Sequence, residues 1–178
     1  ESTSYFTRNK RIGEMSQMKI TKITREICPA ARFIGKRYPV EGADWGEFWA
    51  KGWFDELEKL PGLLDINDAG YTEAIRVVEG EPEHWLGMFF AADTIAPAHF
   101  DSVDMQPMEY AVCYLYGNPD NGELFSSAAH KLCLAALKEQ GSCCKEDGWR
   151  FQRCNCPRFT TPDEQGNVTL DYGISIEA

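Results

Sequence analysis

The sequence predicts an α+β fold built from one βαββ unit repeated in tandem, and three internal matches that recur in the same order carry that prediction. Pro29 to Tyr38 matches Pro107 to Tyr116 in length, with proline and tyrosine at the same ends. Asp44-Trp-Gly-Glu47 matches Asp120-Asn-Gly-Glu123. A run of apolar residues at helical spacing follows each of these. One such match arises by chance. Three in order favour a copied unit over one unrelated α+β domain.

The elements follow in order. Each proline-led segment reads as a strand, since proline is tolerated at the first residue of a strand. An Asp followed three residues on by Glu is the capping-box pattern that satisfies the free amides at a helix start, so helices are expected after Asp44 and after Asp120. The apolar positions pair as Phe48/Leu124, Trp49/Phe125, Gly52/Ala128, Leu57/Cys133 and Leu60/Ala136, which is one face of a 3.6-residue helix. Pro61-Gly62 stops the first helix and Gly141 the second. Two β-rich runs come after each helix: Ala74 to Glu79 and His84 to Ala92, then Trp149 to Pro157 and Val168 to Glu177, joined by turn-rich Gly80–Glu83 and Thr161–Asn167.

Asp93 to Met105 is left as a connector. The strands are offset by 78 residues and the helix starts by 76, so the second unit has lost two residues in its first loop. The modules span about 19–92 and 106–178 within one domain, 19–178. Residues 1–18 form an N-terminal arm or the remnant of an upstream segment, an expectation strengthened by Glu1 standing where Met would begin a chain. Two like modules that each bury one face pack about a pseudo-twofold. They form antiparallel sheets with two main helices and leave a concave seam, where ligands bind by default.

Composition narrows the function classes. Eighteen Lys and Arg against 28 Asp and Glu give a net charge of −10, and 43% of the residues are apolar. A chain of this length buries roughly 70% of its unfolded surface, enough for a core without staples. The acidic surface repels a phosphate backbone, so direct nucleic-acid binding by this domain is not expected. No apolar run approaches the roughly 20 residues of a membrane helix, and no signal-peptide core is present, so the expectation is a cytoplasmic protein with no membrane partner. Seven scattered cysteines fit reduced thiols better than a secreted framework.

No cofactor is expected, because neither a G-x-G-x-x-G nor a Walker pattern occurs. Cys143-Cys144 and Cys154-x-Cys156 place four thiols within fourteen positions, but no C-x-x-C knuckle is present and an extended segment would hold the pairs well apart. No metal site is expected there. His84, His99 and His130 are too dispersed for a metal triad, and Ser126-Ser127 lacks a nucleophile elbow and reads as helix surface.

The segment Ile20 to Pro29 leading into Arg32-Phe-Ile-Gly35, the segment Pro107-Met-Glu-Tyr-Ala-Val112 ending at Gly117, and the closing Leu170-Asp-Tyr-Gly-Ile-Ser-Ile176 together resemble the GyrI-like small-molecule-binding, or effector-binding, domains. The resemblance covers Lys19 to Ala178. It implies two βαββ modules around a cleft for an amphipathic, often cationic aromatic ligand, and a buried acidic residue in the penultimate strand. Here that position reads Phe151-Gln152-Arg153-Cys154, so the amide Gln152 stands where the resemblance implies an acid. Some relatives hydrolyse strained-ring compounds, and others are fused to a helix-turn-helix module of AraC or MerR type. Ser4-Tyr-Phe-Thr-Arg8 is similar to a stretch near the end of an AraC-type DNA-binding region, although Asn9 to Glu14 departs from the continuation expected there.

The candidate ligand-binding residues come from the aromatic content, 12% of the chain, and from strand parity. Parity groups Tyr38 with Lys36, and Tyr114 with Tyr116 on the equivalent face of the second unit, so these tyrosines are expected to meet near the seam. Trp85 and Phe89 share a face, as do Gln152 and Cys154; Trp53 matches Ala129, which makes the pocket asymmetric. With Tyr172 they form apolar walls, and Gln152 serves as polar anchor. The function expected is binding of a small amphipathic or aromatic molecule by a sensor or sequestering domain; the partner the resemblance implies is a fused or separate helix-turn-helix DNA-binding module. The alternatives are a hydrolase using a carboxylate such as Glu79 or Glu109, and an interaction module filled by a protein segment.

Overall fold

The computed structural model describes residues 18–39, 42–64 and 70–178. The similarity at Ser4–Arg8 lies outside them. The chain runs through β1 (Lys19–Cys28), β2 (Ala31–Tyr38), α1 (Trp45–Ala50), α2 (Trp53–Glu58), β3 (Tyr71–Val78), β4 (Glu81–Ala91), β5 (Asp101–Met105), β6 (Met108–Gly117), α3 (Ser127–Glu139), β7 (Arg150–Cys154) and β8 (Val168–Ser175). All eight strands form one antiparallel sheet in the order β1-β6-β8-β7-β3-β4-β2-β5. This is an α+β fold, as the sequence predicts.

The first helix starts where its cap predicts, with the Asp44 carboxylate accepting the Glu47 N–H at 2.8 Å. It breaks into α1 and α2 at Gly52, which takes a left-handed conformation (φ 68°) open to glycine at little cost. The second start differs from the Asp120 expectation. Glu123 turns its carboxylate to the Asn118 N–H, a short 3-10 turn occupies Glu123–Phe125, and α3 begins later, with the Ser126 hydroxyl accepting the Ala129 N–H. Ser126 is therefore a helix cap rather than plain surface.

Two further differences concern strands. Part of the expected connector is the strand β5, a short charged edge segment paired with β2; Asp-Ser-Val-Asp-Met lacks the apolar alternation that announces a strand. Lys19–Cys28 is likewise a strand, paired with β6 across the sheet rather than with its sequence neighbour β2.

The helices cover one face of the sheet. Phe48, Phe54 and Leu57 of α1 and α2 pack with Ile34, Leu86, Met88 and Phe90, and Ala129, Cys133 and Leu137 of α3 pack with Ala111, Cys113, Leu170 and Ile174. On the opposite face Phe33, Trp85, Phe89, Tyr110 and Phe151 form a third cluster. Phe151 is flanked by Ala74 on β3 and Gly173 on β8. Those small residues let Phe89 and Tyr110 reach its ring at 5.3 and 5.7 Å.

A close approach fixes the other end of that layer. Gly35 and Gly87 are register partners, and a Cβ on Gly35 would lie 1.9 Å from the Leu86 carbonyl oxygen.

The pleat settles the parity expectation against itself. Tyr38 packs on the helix-bearing side, while Tyr114 packs with the opposite cluster and Tyr116, two residues on, shares its face. An offset of 78, being even, would put Tyr38 and Tyr116 on the same face. They lie on opposite faces instead, and because strand side chains alternate, a difference of one residue in the match is enough to turn every side chain over. Nor do β2 and β6 meet: the strands at the centre of the sheet are β3 and β7.

Candidate functional site

Antiparallel pairing of β3 with β7 sets Glu73 opposite Gln152 and Tyr71 opposite Cys154. These side chains rise between α1/α2 on one side and α3 on the other. The helix-bearing face therefore holds a cleft over the seam, and Glu73 divides it into two lobes.

The first lobe, about 340 Å³, is walled by Trp45, Trp49, Tyr71, Phe125 and Phe159, with Cys154 and Thr160 completing it. Trp49 packs edge-on against Tyr71 at 4.8 Å, and Phe125 against Phe159 at 6.0 Å. Trp49 and Phe125 are 47% and 38% exposed, so two large rings face solvent at the mouth. The Tyr71 hydroxyl is tied to Glu58, and burial first, then this acidic partner, pushes its pKa up. Burial raises the Cys154 thiol as well, which keeps it a neutral apolar contact rather than a thiolate.

Glu73 sits at the floor of this lobe, 8% exposed. One carboxylate oxygen accepts the Trp45 indole N–H at 3.2 Å, and the other is 2.8 Å from His84 Nδ1. A buried carboxylate is costly unless it is hydrogen-bonded, and these two contacts meet that need while leaving the group on the cavity wall.

The second lobe, about 290 Å³, is polar: Glu73, His84, His130, Arg150, Gln152, Tyr172 and the start of α3 line it. The Tyr172 hydroxyl is 2.9 Å from His130 Nδ1. Burial pushes the Tyr172 pKa up to about 12, with Arg150 opposing it, and burial followed by Arg150 lowers that of His130. Both groups are accordingly neutral near pH 7.

Of the residues the sequence points to, Gln152, Cys154 and Tyr172 line this cleft. The others lie elsewhere. Tyr38 donates to Glu47 at the far edge of the helix-bearing face, and Trp53 packs on Phe48 with the ammonium groups of Lys36 and Lys51 each 4.8 Å from its ring. Trp85 and Phe89 belong to the opposite face, where the Trp85 indole donates to Glu83. Tyr114 stacks there beneath Lys22 and Arg158, and Tyr116 bonds Asp163. Among the carboxylate candidates, Glu109 pairs with Arg25 and Glu79 lines a groove beside Trp85.

Glu73, Trp45, Tyr71 and Arg150 carry no site expectation in the sequence, and His84 stands there only as one of three dispersed histidines. One signal was present: Trp49 and Phe125 already stand as a pair in the helix match, at the partly exposed position of both runs. Four cysteines (Cys28, Cys113, Cys133, Cys154) are buried and Cys143 and Cys156 exposed, all as free thiols. No helix among the described residues is long and apolar enough to cross a membrane.

No protein-family model matches the sequence. No curated protein matches it either. The fold, in contrast, recurs in solved structures. A candidate transcription regulation protein of Staphylococcus aureus MU50 superposes with a TM-score of 0.63 at 11% identity, over 88% of this chain and 99% of its own. SAV2435, solved bound to tetraphenylphosphonium, gives a TM-score of 0.65 at 8% identity, over 88% of this chain and 94% of its own. EcmrR, solved in complex with DNA, gives 0.54 at 8% identity, over 88% of this chain and 57% of its own. The chain is thus an α+β domain similar in fold to proteins associated with ligand binding and transcription regulation.

Proposed function

We propose that this chain is a GyrI-like effector-binding domain, built by duplication, that takes a small amphipathic cation into the aromatic lobe with Glu73 as its counter-charge. The observation that carries the reading is a buried carboxylate on the wall of a cavity otherwise made of rings. Aromatic faces attract a cation within about 6 Å, and desolvation strengthens both that attraction and the ion pair. Tetraphenylphosphonium, the molecule bound to SAV2435, has this chemistry. The role that the resemblance gives to an acid in the penultimate strand passes here from Gln152 to Glu73, directly across the seam.

Duplication is supported by the strand order. Replacing each strand by the one four places on in the chain reverses the sheet order into itself. Gly87 pairs with Thr72 and Gly35, and Gly173 pairs with Phe151 and Val112. Superposing the two glycines brings Glu73 onto Gln152, and β2 onto β6 at an offset of 77 (112 minus 35), one less than the proline and tyrosine match implies. In a longer regulator, ligand occupancy at this seam would be read by a DNA-binding module, a role in keeping with the EcmrR–DNA complex.

The test is quenching of Trp45 and Trp49 fluorescence on titration with tetraphenylphosphonium. Binding in the micromolar range is expected, weakened about 10- to 100-fold, or roughly 1.4 to 2.7 kcal/mol, by Glu73→Gln. No quenching and no thermal shift would sink the proposal.

A second reading rests on His84, held by Glu73 at 2.8 Å in the polar lobe. A carboxylate that orients an imidazole is general-base geometry, which would serve hydrolysis of a strained ring. Epoxide or cyclopropane turnover that disappears in His84→Gln would favour it; binding without turnover would not.

A further inference from the structure

We propose that the polar lobe beside Glu73 is a carboxylate subsite, so that the ligand of this domain is bipolar: aromatic and cationic at one end, carboxylate-bearing at the other. The inference rests on the binding reading above and adds the second half of the molecule. Three observations on two elements, β7 and α3, converge on the lobe.

Arg150 on β7 lines it, and among the described residues no carboxylate lies within salt-bridge distance of its guanidinium, whereas Arg25, Arg32, Arg37, Arg76, Arg153 and Arg158 each have one. The Arg150 side-chain hydrogen bond goes to the neutral Tyr172 hydroxyl, so among the described residues its charge meets no anion, and in a chain with ten more acidic than basic side chains it is placed to pair with a ligand anion. Gln152 stands two residues on, on the same face of the strand. It is only 7% exposed, yet its amide has no side-chain hydrogen bond among the described residues. The Gln152 amide is not among the buried polar atoms left without a partner, so it reaches the open lobe and its N–H groups are available to donate to a ligand oxygen there. The third element is the N-terminus of α3, a thirteen-residue helix whose first residue, Ser127, lines the same lobe. Its free N–H groups and dipole favour negative charge.

The chemistry selects a carboxylate rather than a phosphate. One guanidinium, a neutral His130 and a neutral amide match a single negative charge. A dianion would add a charge with no counterpart, close to Glu73. Glu73 itself does not pair with Arg150: its contacts are to Trp45 and His84, and no salt bridge joins it to the guanidinium.

The test uses three fluorescent probes: N-methylacridinium, N-(4-carboxybutyl)acridinium and the methyl ester of the latter. Acid and ester share ring, cation and tail, and differ only at the terminal group, a charged carboxylate in one and its neutral methyl ester in the other. The acid is expected to bind about tenfold tighter than the ester, the value of one charge-assisted hydrogen-bond set. Arg150→Gln is expected to abolish the difference and Arg150→Lys to keep part of it. Equal binding of acid and ester by the wild-type protein overturns the subsite while leaving the cation site standing, and needs no variant. A preference for the acid that survives in Arg150→Gln overturns the assignment to Arg150. Failure of all three probes to bind overturns both readings together.

Discussion

The two halves of the sheet carry the same arrangement of strands under different helix layers. Over β2, β4 and β3 lie two short helices interrupted at Gly52 and packed through Phe48, Phe54 and Leu57. Over β6, β8 and β7 lies the single helix α3, packed through Ala129, Cys133 and Leu137. Where the halves meet, one contributes Glu73 and the other Gln152. The bulky layer brings Trp45 and Trp49 to the seam and walls an apolar lobe; the small-residue layer leaves room for Arg150, His130 and Tyr172 in a polar one. A shared backbone plan thus supports two different chemistries, because the size of the residues above the sheet decides what reaches the seam.

Breaking the layers should give the largest effect. Phe54→Ala is expected to cost about 3 to 5 kcal/mol in urea unfolding, since it empties a ring-sized volume among Trp45, Phe48, Trp49 and Tyr71. Cys133→Ala on the other side should cost less than half as much, as it removes one atom. Similar losses would mean that the two layers do not differ as described.

Next come the residues at the seam. Glu73→Gln makes both halves amides and should weaken tetraphenylphosphonium as described above, with little change in unfolding midpoint. Gln152→Glu makes both halves acids. Two carboxylates side by side cannot both ionise freely, so the pKa of one rises, and binding of the cation should strengthen as the pH is raised. Binding that is insensitive to pH would place the two carboxyls too far apart to interact.

Acidification separates the two faces of the sheet. His130 has its pKa lowered by burial and by Arg150 from a usual 6.5. The unfolded chain therefore takes up the proton first, and stability is lost as the pH falls below 6.5. On the opposite face, burial alone would raise the Glu83 carboxyl, but hydrogen bonds from Arg76 and Trp85, with Arg37 nearby, outweigh it and lower the pKa below 4.5. Its contribution is present above that value and lost only in stronger acid. Unfolding midpoints followed from pH 8 to 3 should show two declines, the upper flattened by His130→Gln and the lower by Glu83→Gln. Exchange of those assignments would contradict this account.

The smallest effect concerns the caps. Asp44→Ala and Ser126→Ala should each cost about 1 kcal/mol, because each removes one side-chain acceptor from a helix start. A neutral Ser126→Ala would show that the 3-10 turn before α3 already satisfies that end.

Parts of this site were legible in the sequence and parts were not. Trp49 and Phe125 appear together in the helix match because helical spacing is local. Gln152 emerged from the resemblance and Tyr172 from the aromatic content, and both line the cleft. Tyr38, Tyr114 and Tyr116 were grouped by an even offset, and a single residue of register put them on different faces. Glu73 gave no signal along the chain: Thr-Glu-Ala in a strand looks like any half-buried segment. Its importance comes from the strand it faces.

The sequence by itself determined the alternation of strand and helix, the helix stops at Pro61-Gly62 and Gly141, the cap at Asp44 and the net acidic charge, since each depends on composition or on residues within a few positions of one another. Only the tertiary structure decided that β3 and β7 meet at the centre of the sheet, that β1 crosses to its far side, and that the carboxyl buried there is Glu73, facing Gln152. The physical reason is that strand pairing joins segments nearly eighty residues apart through backbone groups every residue possesses. Local pattern therefore leaves partner and register open, and packing of the whole sheet settles both.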